Sequence, residues 1–177
     1  MRILAWIGLA AAMAAAPAAA EVVDAQPYGF KVESKADVAA PADKVWAAIG
    51  QPAGWWNSQH SWSGDAKNLS LELKPGGCFC EAFPHGGGVR HMTVVFVHPD
   101  KQLVLEGALG PLLFSGTSGH LVWALAEKDG HTMVTETFYA GGYFQGGLDK
   151  LAGPVDGVLT EQLGRLKSYV ETGKPTP

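Results

Sequence analysis

The sequence predicts an α+β fold in which a curved antiparallel sheet wraps around one long C-terminal helix. Between residues 69 and 140, short alternating runs of apolar and polar residues are separated by turn residues, which is typical of antiparallel strands. From Leu148 onward, the apolar residues recur every three or four positions, as in an amphipathic helix. A sheet with one apolar face and a helix with one apolar stripe bury both surfaces by packing together.

Turn and cap residues define the order of the predicted elements. A first strand precedes a short helix that has Pro41 at its first position and ends at Gly50. The final helix starts near Leu148, Pro154 marks its start or a kink, and Gly173 ends it. The predicted strands cover residues 30–38, 69–73, 78–83, 89–98, 103–108, 120–127 and 132–140.

The N-terminal segment has the pattern of an export signal. Arg2 precedes an uncharged, Ala-rich run over residues 3–16, and Ala18–Ala20 supplies the small side chains that a signal peptidase recognises. A membrane anchor is the alternative, but a spanning helix needs about 20 apolar residues. The predicted domains are a signal peptide at 1–20, an N-terminal tether at 21–27 and one folded domain at 28–173. We therefore expect a bacterial protein that is periplasmic or secreted, without a stable membrane anchor after cleavage.

Composition excludes several classes of protein. The chain has 177 residues and a net charge of −4, and it lacks the basic stripe that a nucleic-acid-binding protein needs to neutralise phosphates. Hydrophobic residues make up 47% and charged residues 17% of the chain, which argues against disorder. A single domain of this size buries enough surface to fold without a metal or a disulfide. No cofactor is predicted.

Cys78 and Cys80 are the only cysteines. In a regular strand, residues two apart have Cα atoms about 6.5–7 Å apart, which is at the limit of what a disulfide spans. The spacing therefore favours two buried thiols. A strained, redox-active disulfide and metal ligation are the alternatives, and an oxidising compartment favours the disulfide.

Several segments of the chain resemble a known superfamily. They are VAAPADKVWAAIGQPAGWW (38–56), KPGGCFCE (74–81), VRHMTVVFVHPDKQLVLEGALGP (89–111), GHTMVTETF (130–138) and the final helix with Leu159, Leu163 and Leu166. The chain resembles the START/Bet v 1-like (SRPBCC) superfamily, and within it the polyketide cyclase/dehydrase and Hsp90-ATPase-activator-like branch. The resemblance implies a helix-grip fold with a deep cavity between the sheet and the final helix. Members bind lipids, sterols, aromatic polyketides or plant hormones, and a few are cyclases or dehydratases.

The residues expected at this cavity are mostly aromatic. Three tryptophans follow the first helix, where they either stack on a ligand or close one end of the core. The loop at 110–119 is rich in large apolar residues and is predicted to form a lid. Trp123 lies on an apolar sheet face and serves either core packing or the cavity. The expected ligand-binding residues are Trp55, Trp56, Trp62, Glu81, His91, Phe114, Trp123 and Tyr143.

Glu81 is the candidate for acid/base chemistry. If its side chain faces inward, burial raises the pKa of the carboxyl group, which suits a general acid or base; if it faces outward, it is an ordinary surface charge. Glu106 and Glu136 pose the same question on neighbouring strands. His91 can share a face with both cysteines under one strand register, but a Cys-x-Cys spacing is not typical of zinc sites, so no metal site is predicted.

The sequence therefore predicts an exported binding protein for a small hydrophobic or aromatic ligand. A cyclase/dehydratase-type enzyme that uses acid/base residues in the same cavity is one alternative, and a protein-interaction module is another. An all-apolar cavity favours a carrier, whereas an inward-facing Glu beside an inward-facing His or Tyr favours catalysis.

Overall fold

The computed structural model of the chain describes residues 19–176. Eight strands and two α-helices account for its regular structure. In chain order they are β1 (Ala19–Gln26), β2 (Gly29–Val38), α1 (Ala42–Ile49), β3 (Leu69–Leu71), β4 (Cys78–Ala82), β5 (Gly88–His98), β6 (Gln102–Gly107), β7 (Gly116–Lys128), β8 (His131–Tyr143) and α2 (Asp149–Thr172). All strands join one antiparallel sheet in the order β1-β2-β8-β7-β6-β5-β4-β3. The predicted α+β fold class is confirmed.

Helix α2 covers the concave side of the sheet and packs mainly against β1 and β2. Leu159, Leu163 and Leu166 of its apolar stripe are buried. The hydroxyl oxygen of Thr160 lies 2.7 Å from that of Ser34 on β2, which adds a polar contact between helix and sheet. The helix ends at Gly173, whose φ of 77° is the left-handed conformation that glycine favours. In residues 19–176, no helix combines the length and the apolar character needed to cross a bilayer.

The segment predicted as an N-terminal tether, residues 21–27, is mostly strand. Most of residues 21–27 lie in β1, which pairs along its length with β2. The alternating pattern that identifies a strand is interrupted there, because the register shifts between Val22 and Asp24 and leaves Val23 as an extra residue. Residues 1–18 of the predicted signal peptide lie outside the described residues.

Most other predicted elements occur with shifted ends. Strand β3 stops at Leu71, and β7 and β8 are longer than their alternating patterns. The loop predicted at 110–119 contains a 3₁₀ segment at Gly110–Phe114, and β7 begins directly after it at Gly116. Strand β7 also packs against this 3₁₀ segment and so helps to position it relative to the sheet.

Glu136 is an unusual member of the core. Its side chain faces inward from β8, opposite Ser34 and Trp123 on the neighbouring strands, and it is only 1% exposed. Among the described residues, neither of its carboxyl oxygens has a hydrogen-bond partner. Burial raises the pKa of Glu136 well above its ordinary value of 4.5. The fold therefore favours the neutral, protonated form of Glu136. Glu106, the other glutamate in question, is exposed.

The Glu136→Gln substitution should remove part of the pH dependence of folding stability. Because the folded-state pKa is raised, the folded chain binds more protons than the unfolded chain between the ordinary value of 4.5 and that raised pKa. The free energy of unfolding therefore decreases as pH rises through this window, by up to about 1.4 kcal/mol per pH unit for one proton. Urea unfolding from about pH 5 to pH 8 should show a steeper loss in wild type than in Glu136→Gln.

The matched control is Glu106→Gln, since Glu106 is exposed and lies on β6, which does not pair with β8. Its pH profile should parallel that of wild type. Parallel profiles for wild type and Glu136→Gln would show that Glu136 does not stay neutral in the fold.

Candidate functional site

A cavity of about 320 Å³ lies between the first half of α2 and the end of the sheet formed by β3, β4 and β5. Two further segments complete its wall: the rim segment, residues 56–62, and the lid, residues 109–114. Most of the lining is apolar, and the polar groups are few. The lining residues are Trp56, Gln59, His60, Ser61, Trp62, Leu69, Phe79, His91, Leu109, Gly110, Pro111, Leu112, Leu151, Pro154, Val155, Val158 and Leu159.

Helix α2 holds the rim segment in place through two consecutive side chains. The backbone N–H of Asn57 donates to Gln162 Oε1 over 2.8 Å, and the Asn57 side-chain amide donates to Glu161 Oε1. Glu161 Oε2 also lies 3.1 Å from His60 Nε2. Because this short segment is tied to the helix at both Asn57 and His60, its position relative to the cavity follows from the position of α2.

The lid is anchored on one side and exposed on the other. Leu112 is buried, and its carbonyl accepts a hydrogen bond of 2.8 Å from the Ser115 hydroxyl. Phe114 is 77% exposed and packs edge-on against Trp62, with ring centroids 5.4 Å apart. Residues 109–112 of the lid line the cavity, and this aromatic pair connects the lid to the rim segment. The second part of the predicted lid, residues 116–119, belongs to β7 instead.

Glu81 and His91 form a buried pair on the sheet wall. Glu81 faces inward from β4, as does Phe79. On β5, Arg90 pairs with Cys80 and Met92 pairs with Phe79, so His91 is an extra residue in the ladder. This β-bulge leaves both His91 and Met92 buried, although adjacent strand residues ordinarily face opposite sides. His91 Nε2 lies 3.0 Å from Glu81 Oε2.

The protonation states of this pair follow from its surroundings. Burial by itself raises the pKa of Glu81, but hydrogen bonds from Ser63, Trp62 and His91 outweigh it and lower the pKa below its ordinary value. The Trp62 bond is 3.1 Å long, and the backbone N–H of Ser63 also donates to the carboxylate. Burial lowers the pKa of His91 below 6.5, although Glu81 opposes the shift. At neutral pH the pair is therefore a carboxylate beside a neutral imidazole, and the raised pKa expected for a buried Glu81 is wrong.

The structure separates the predicted tryptophans into two groups. Trp56 and Trp62 line the cavity, and Trp56 packs edge-on against Phe79 at 5.5 Å. Trp55 and Trp123 are core residues that contact each other at 6.2 Å, and the indole N–H of Trp55 donates to the Ala48 carbonyl. Neither contributes to the cavity lining, so the core-packing alternative holds for both.

Of the other predicted site residues, His91 lines the cavity and Glu81 lies behind it as its hydrogen-bond partner. Phe114 covers Trp62 from outside. Tyr143 is 72% exposed at the end of β8 and does not line the cavity. Its prediction as a ligand-binding residue therefore has no support from its position.

Sequence reasoning missed the wall formed by α2. Leu151, Val155 and Val158 are spaced by three and four residues and belong to the apolar stripe that predicts the helix, but they are not among the expected ligand-binding residues. In the structure they are half-buried and face the cavity, whereas Leu163 and Leu166 further along are fully buried. The apolar stripe of α2 was the available signal for this wall, because it extends beyond the residues that pack in the core.

Cys78 and Cys80 are joined by a disulfide, which corrects the preference for two thiols. Their Cα atoms are 5.3 Å apart, closer than in a regular strand, at the point where the bulge in β5 interrupts the ladder. Both side chains are partly exposed. The bonded sulfur atoms are not available as thiolate ligands, and within residues 19–176 no three His, Cys, Asp or Glu side chains are grouped so as to hold a metal ion.

The sequence matches a family model described as polyketide cyclase / dehydrase and lipid transport over residues 29–171. The chain belongs to this family. The match, together with the fold, confirms the resemblance to the START/Bet v 1-like superfamily. Among curated proteins, none matches the sequence significantly.

Solved structures with the same fold are distant in sequence. A conserved protein of unknown function from Enterococcus faecalis is 15% identical, with a TM-score of 0.59 and coverage of 86% of this chain and 78% of that chain. DynU16, a putative protein in the dynemicin biosynthetic locus, is 24% identical, with a TM-score of 0.58 and coverage of 82% and 48%. The Aha1 dimer from Colwellia psychrerythraea is 19% identical, with a TM-score of 0.54 and coverage of 81% and 98%. At these identities the similarity shows the fold alone.

The Gly107→Ala substitution should disturb the sheet wall of the cavity. Gly107 has a φ of 153°, and a Cβ atom there would lie 2.5 Å from the His91 carbonyl oxygen. Since a contact this short forces β5 and β6 apart, we expect a loss of about 1–3 kcal/mol in the free energy of unfolding. Denaturant unfolding provides the measurement.

Gly157→Ala is the matched control, because a Cβ atom at this position in α2 meets nothing within 4 Å. It should stabilise the protein by about 0.5–1 kcal/mol, since alanine favours a helix over glycine. Equal effects of the two substitutions would contradict the close approach at His91.

Proposed function

We propose that the protein is an exported binding protein for a small hydrophobic or aromatic ligand held in the cavity between the sheet and α2. The observation that carries this proposal is the cavity itself. Its volume is about 320 Å³, and small-molecule sites typically have volumes of about 300–1,000 Å³. Its lining is mostly apolar, with aromatic side chains at the rim. The family description, which includes lipid transport, agrees with this function.

The expected affinity follows from the apolar lining. Burial of roughly 200–300 Å² of ligand surface contributes about 5–7 kcal/mol before the costs of association. This corresponds to a micromolar dissociation constant at best when no polar group anchors the ligand. Flat molecules suit the site, because Trp56, Trp62 and Phe79 offer ring faces and edges.

A second candidate function is acid/base catalysis on the bound ligand. One observation favours it: the Glu81–His91 pair is buried at the cavity wall, with the carboxyl group ionised and the imidazole neutral. In such a pair the carboxylate orients the imidazole, and the imidazole accepts or donates a proton. This is the chemistry that the alternative of a cyclase/dehydratase-type enzyme requires.

Export is the second part of the proposal and rests on the sequence of residues 1–20. N-terminal sequencing of the protein secreted or released from the periplasm should begin at Glu21, because Ala18–Ala20 presents the small side chains read by a signal peptidase. Recovery of a chain that retains Met1 and sediments with membranes would instead indicate a membrane-anchored protein.

Binding can be measured with N-phenyl-1-naphthylamine, an uncharged probe whose fluorescence rises in apolar surroundings. The wild-type protein should bind it saturably with a micromolar dissociation constant. Val158→Phe places a larger side chain in the cavity lining, so the probe should bind about tenfold more weakly. A penalty of about 1.4 kcal/mol, which corresponds to this factor, is typical of overpacking.

The matched control is Val170→Phe. Val170 is also half-buried on α2 but does not line the cavity, so its substitution should leave probe binding unchanged. The proposal fails if wild type shows no saturable binding, or if Val158→Phe binds the probe as well as wild type does.

A further inference from the structure

We propose that Nδ1 of His91 is a hydrogen-bond acceptor that selects hydrophobic ligands carrying a hydroxyl group, such as phenols and naphthols. The inference rests on the proposed binding function, and it names the chemical class of the ligand. It depends on three features of the site: the tautomer of the imidazole, the access to its second nitrogen and the apolar surroundings of that nitrogen.

The hydrogen bonds around Glu81 define the tautomer. Its carboxylate accepts hydrogen bonds from the backbone N–H groups of Trp62 and Ser63, and an ionised carboxylate has no proton to donate. The contact of 3.0 Å with His91 Nε2 therefore requires a proton on Nε2. A neutral imidazole carries only one N–H, so Nδ1 of His91 has a free lone pair. The buried position of the ring favours this neutral form.

The second nitrogen of the ring is not fully enclosed by protein atoms. In residues 19–176, the fully enclosed side-chain atoms without a hydrogen-bond partner belong to Glu136, Asp156 and Gln162. His91 Nδ1 has no protein partner in this part of the chain either, yet it is not among these enclosed atoms. The imidazole packs at 5.1 Å against the ring of Phe79, and both rings line the cavity. The proposed site for the ligand hydroxyl is therefore the open side of Nδ1, beside the Phe79 ring in the cavity.

An acceptor in such surroundings discriminates between ligands. When an apolar ligand displaces water from Nδ1, the acceptor is left without a partner, which is costly in a buried site. A ligand hydroxyl donates to Nδ1 and removes this cost. A ligand carboxylate has no donor and is repelled by the nearby charge of Glu81. Sites that offer a hydrogen bond reject analogues lacking the matching group more strongly than apolar pockets reject an added methyl group.

His60 provides an internal comparison. It lines the same cavity, and its Nε2 also lies beside a carboxylate, that of Glu161, at 3.1 Å. The His60 side chain is 32% exposed, so water can satisfy its ring when an apolar ligand binds. We therefore assign the selection to His91 and treat His60 as the matched control.

The test compares 2-naphthol with 2-methylnaphthalene, in which a methyl group of similar size replaces the hydroxyl. Calorimetry gives the affinity ratio of the two compounds for wild type, His91→Phe and His60→Phe. The preference for 2-naphthol should fall by about fivefold or more in His91→Phe, the range expected for one hydrogen bond. Because His60 lines the cavity and helps to hold the rim segment, His60→Phe should change the affinity for both compounds by the same factor and so leave their ratio unchanged.

The possible outcomes distinguish a failure of this inference from a failure of the proposed binding function. If both compounds bind and the ratio is the same in wild type and His91→Phe, the inference is wrong and the binding function stands. If the ratio changes only in His60→Phe, the acceptor is at the rim and the inference is also wrong. If neither compound binds to wild type, the proposed aromatic-ligand function and the inference fail together.

A second measurement needs no variant at His91. In wild-type protein labelled with ¹⁵N-histidine, the resonances of His91 should report a protonated Nε2 and an unprotonated Nδ1. Saturating 2-naphthol should shift the Nδ1 resonance, and 2-methylnaphthalene should not, because only the naphthol donates a hydrogen bond. A proton on Nδ1 in the free protein, or equal shifts with both compounds, would overturn the inference.

Discussion

The buried carboxylate of Glu81 determines the arrangement of the cavity wall. A charge removed from water is stable only when several donors surround it. Here the donors come from two separate parts of the chain: the backbone at Trp62 and Ser63, and the imidazole of His91 on β5. The requirement for all three donors brings the end of the rim segment against the sheet and orients the one ionisable ring on the sheet side of the cavity.

Two buried glutamates in this domain differ in ionisation because they differ in their hydrogen-bond donors. Glu81 and Glu136 are both almost completely buried. For Glu81, hydrogen bonds outweigh burial and lower the pKa, whereas for Glu136 burial acts without a donor among the described residues and raises it. The first group is thus a fixed anion beside the cavity, and the second is a neutral acid within the core. Burial alone does not identify the carboxyl group suited to orient His91.

Helix α2 has two roles along one apolar stripe. Its middle section, with Leu163 and Leu166, closes the core, and its first half, with Leu151, Val155 and Val158, forms one side of the cavity. Between these sections, Glu161 and Gln162 hold the rim segment. Because core packing positions the helix, it also positions the cavity wall and the rim. The cavity is therefore coupled to the packing of the core.

The sequence by itself determined the fold class and the extent of α2, because these depend on local periodicity and turn residues. The tertiary structure alone decided that His91 faces inward and pairs with Glu81. The reason is physical: one extra residue in β5 reverses the facing of a side chain, and an alternating pattern does not reveal where such a bulge lies. The same irregularity accompanies the short Cα distance that lets Cys78 and Cys80 bond. The assignment of Trp55 and Trp123 to the core likewise depended on contacts between distant parts of the chain, which no local pattern encodes.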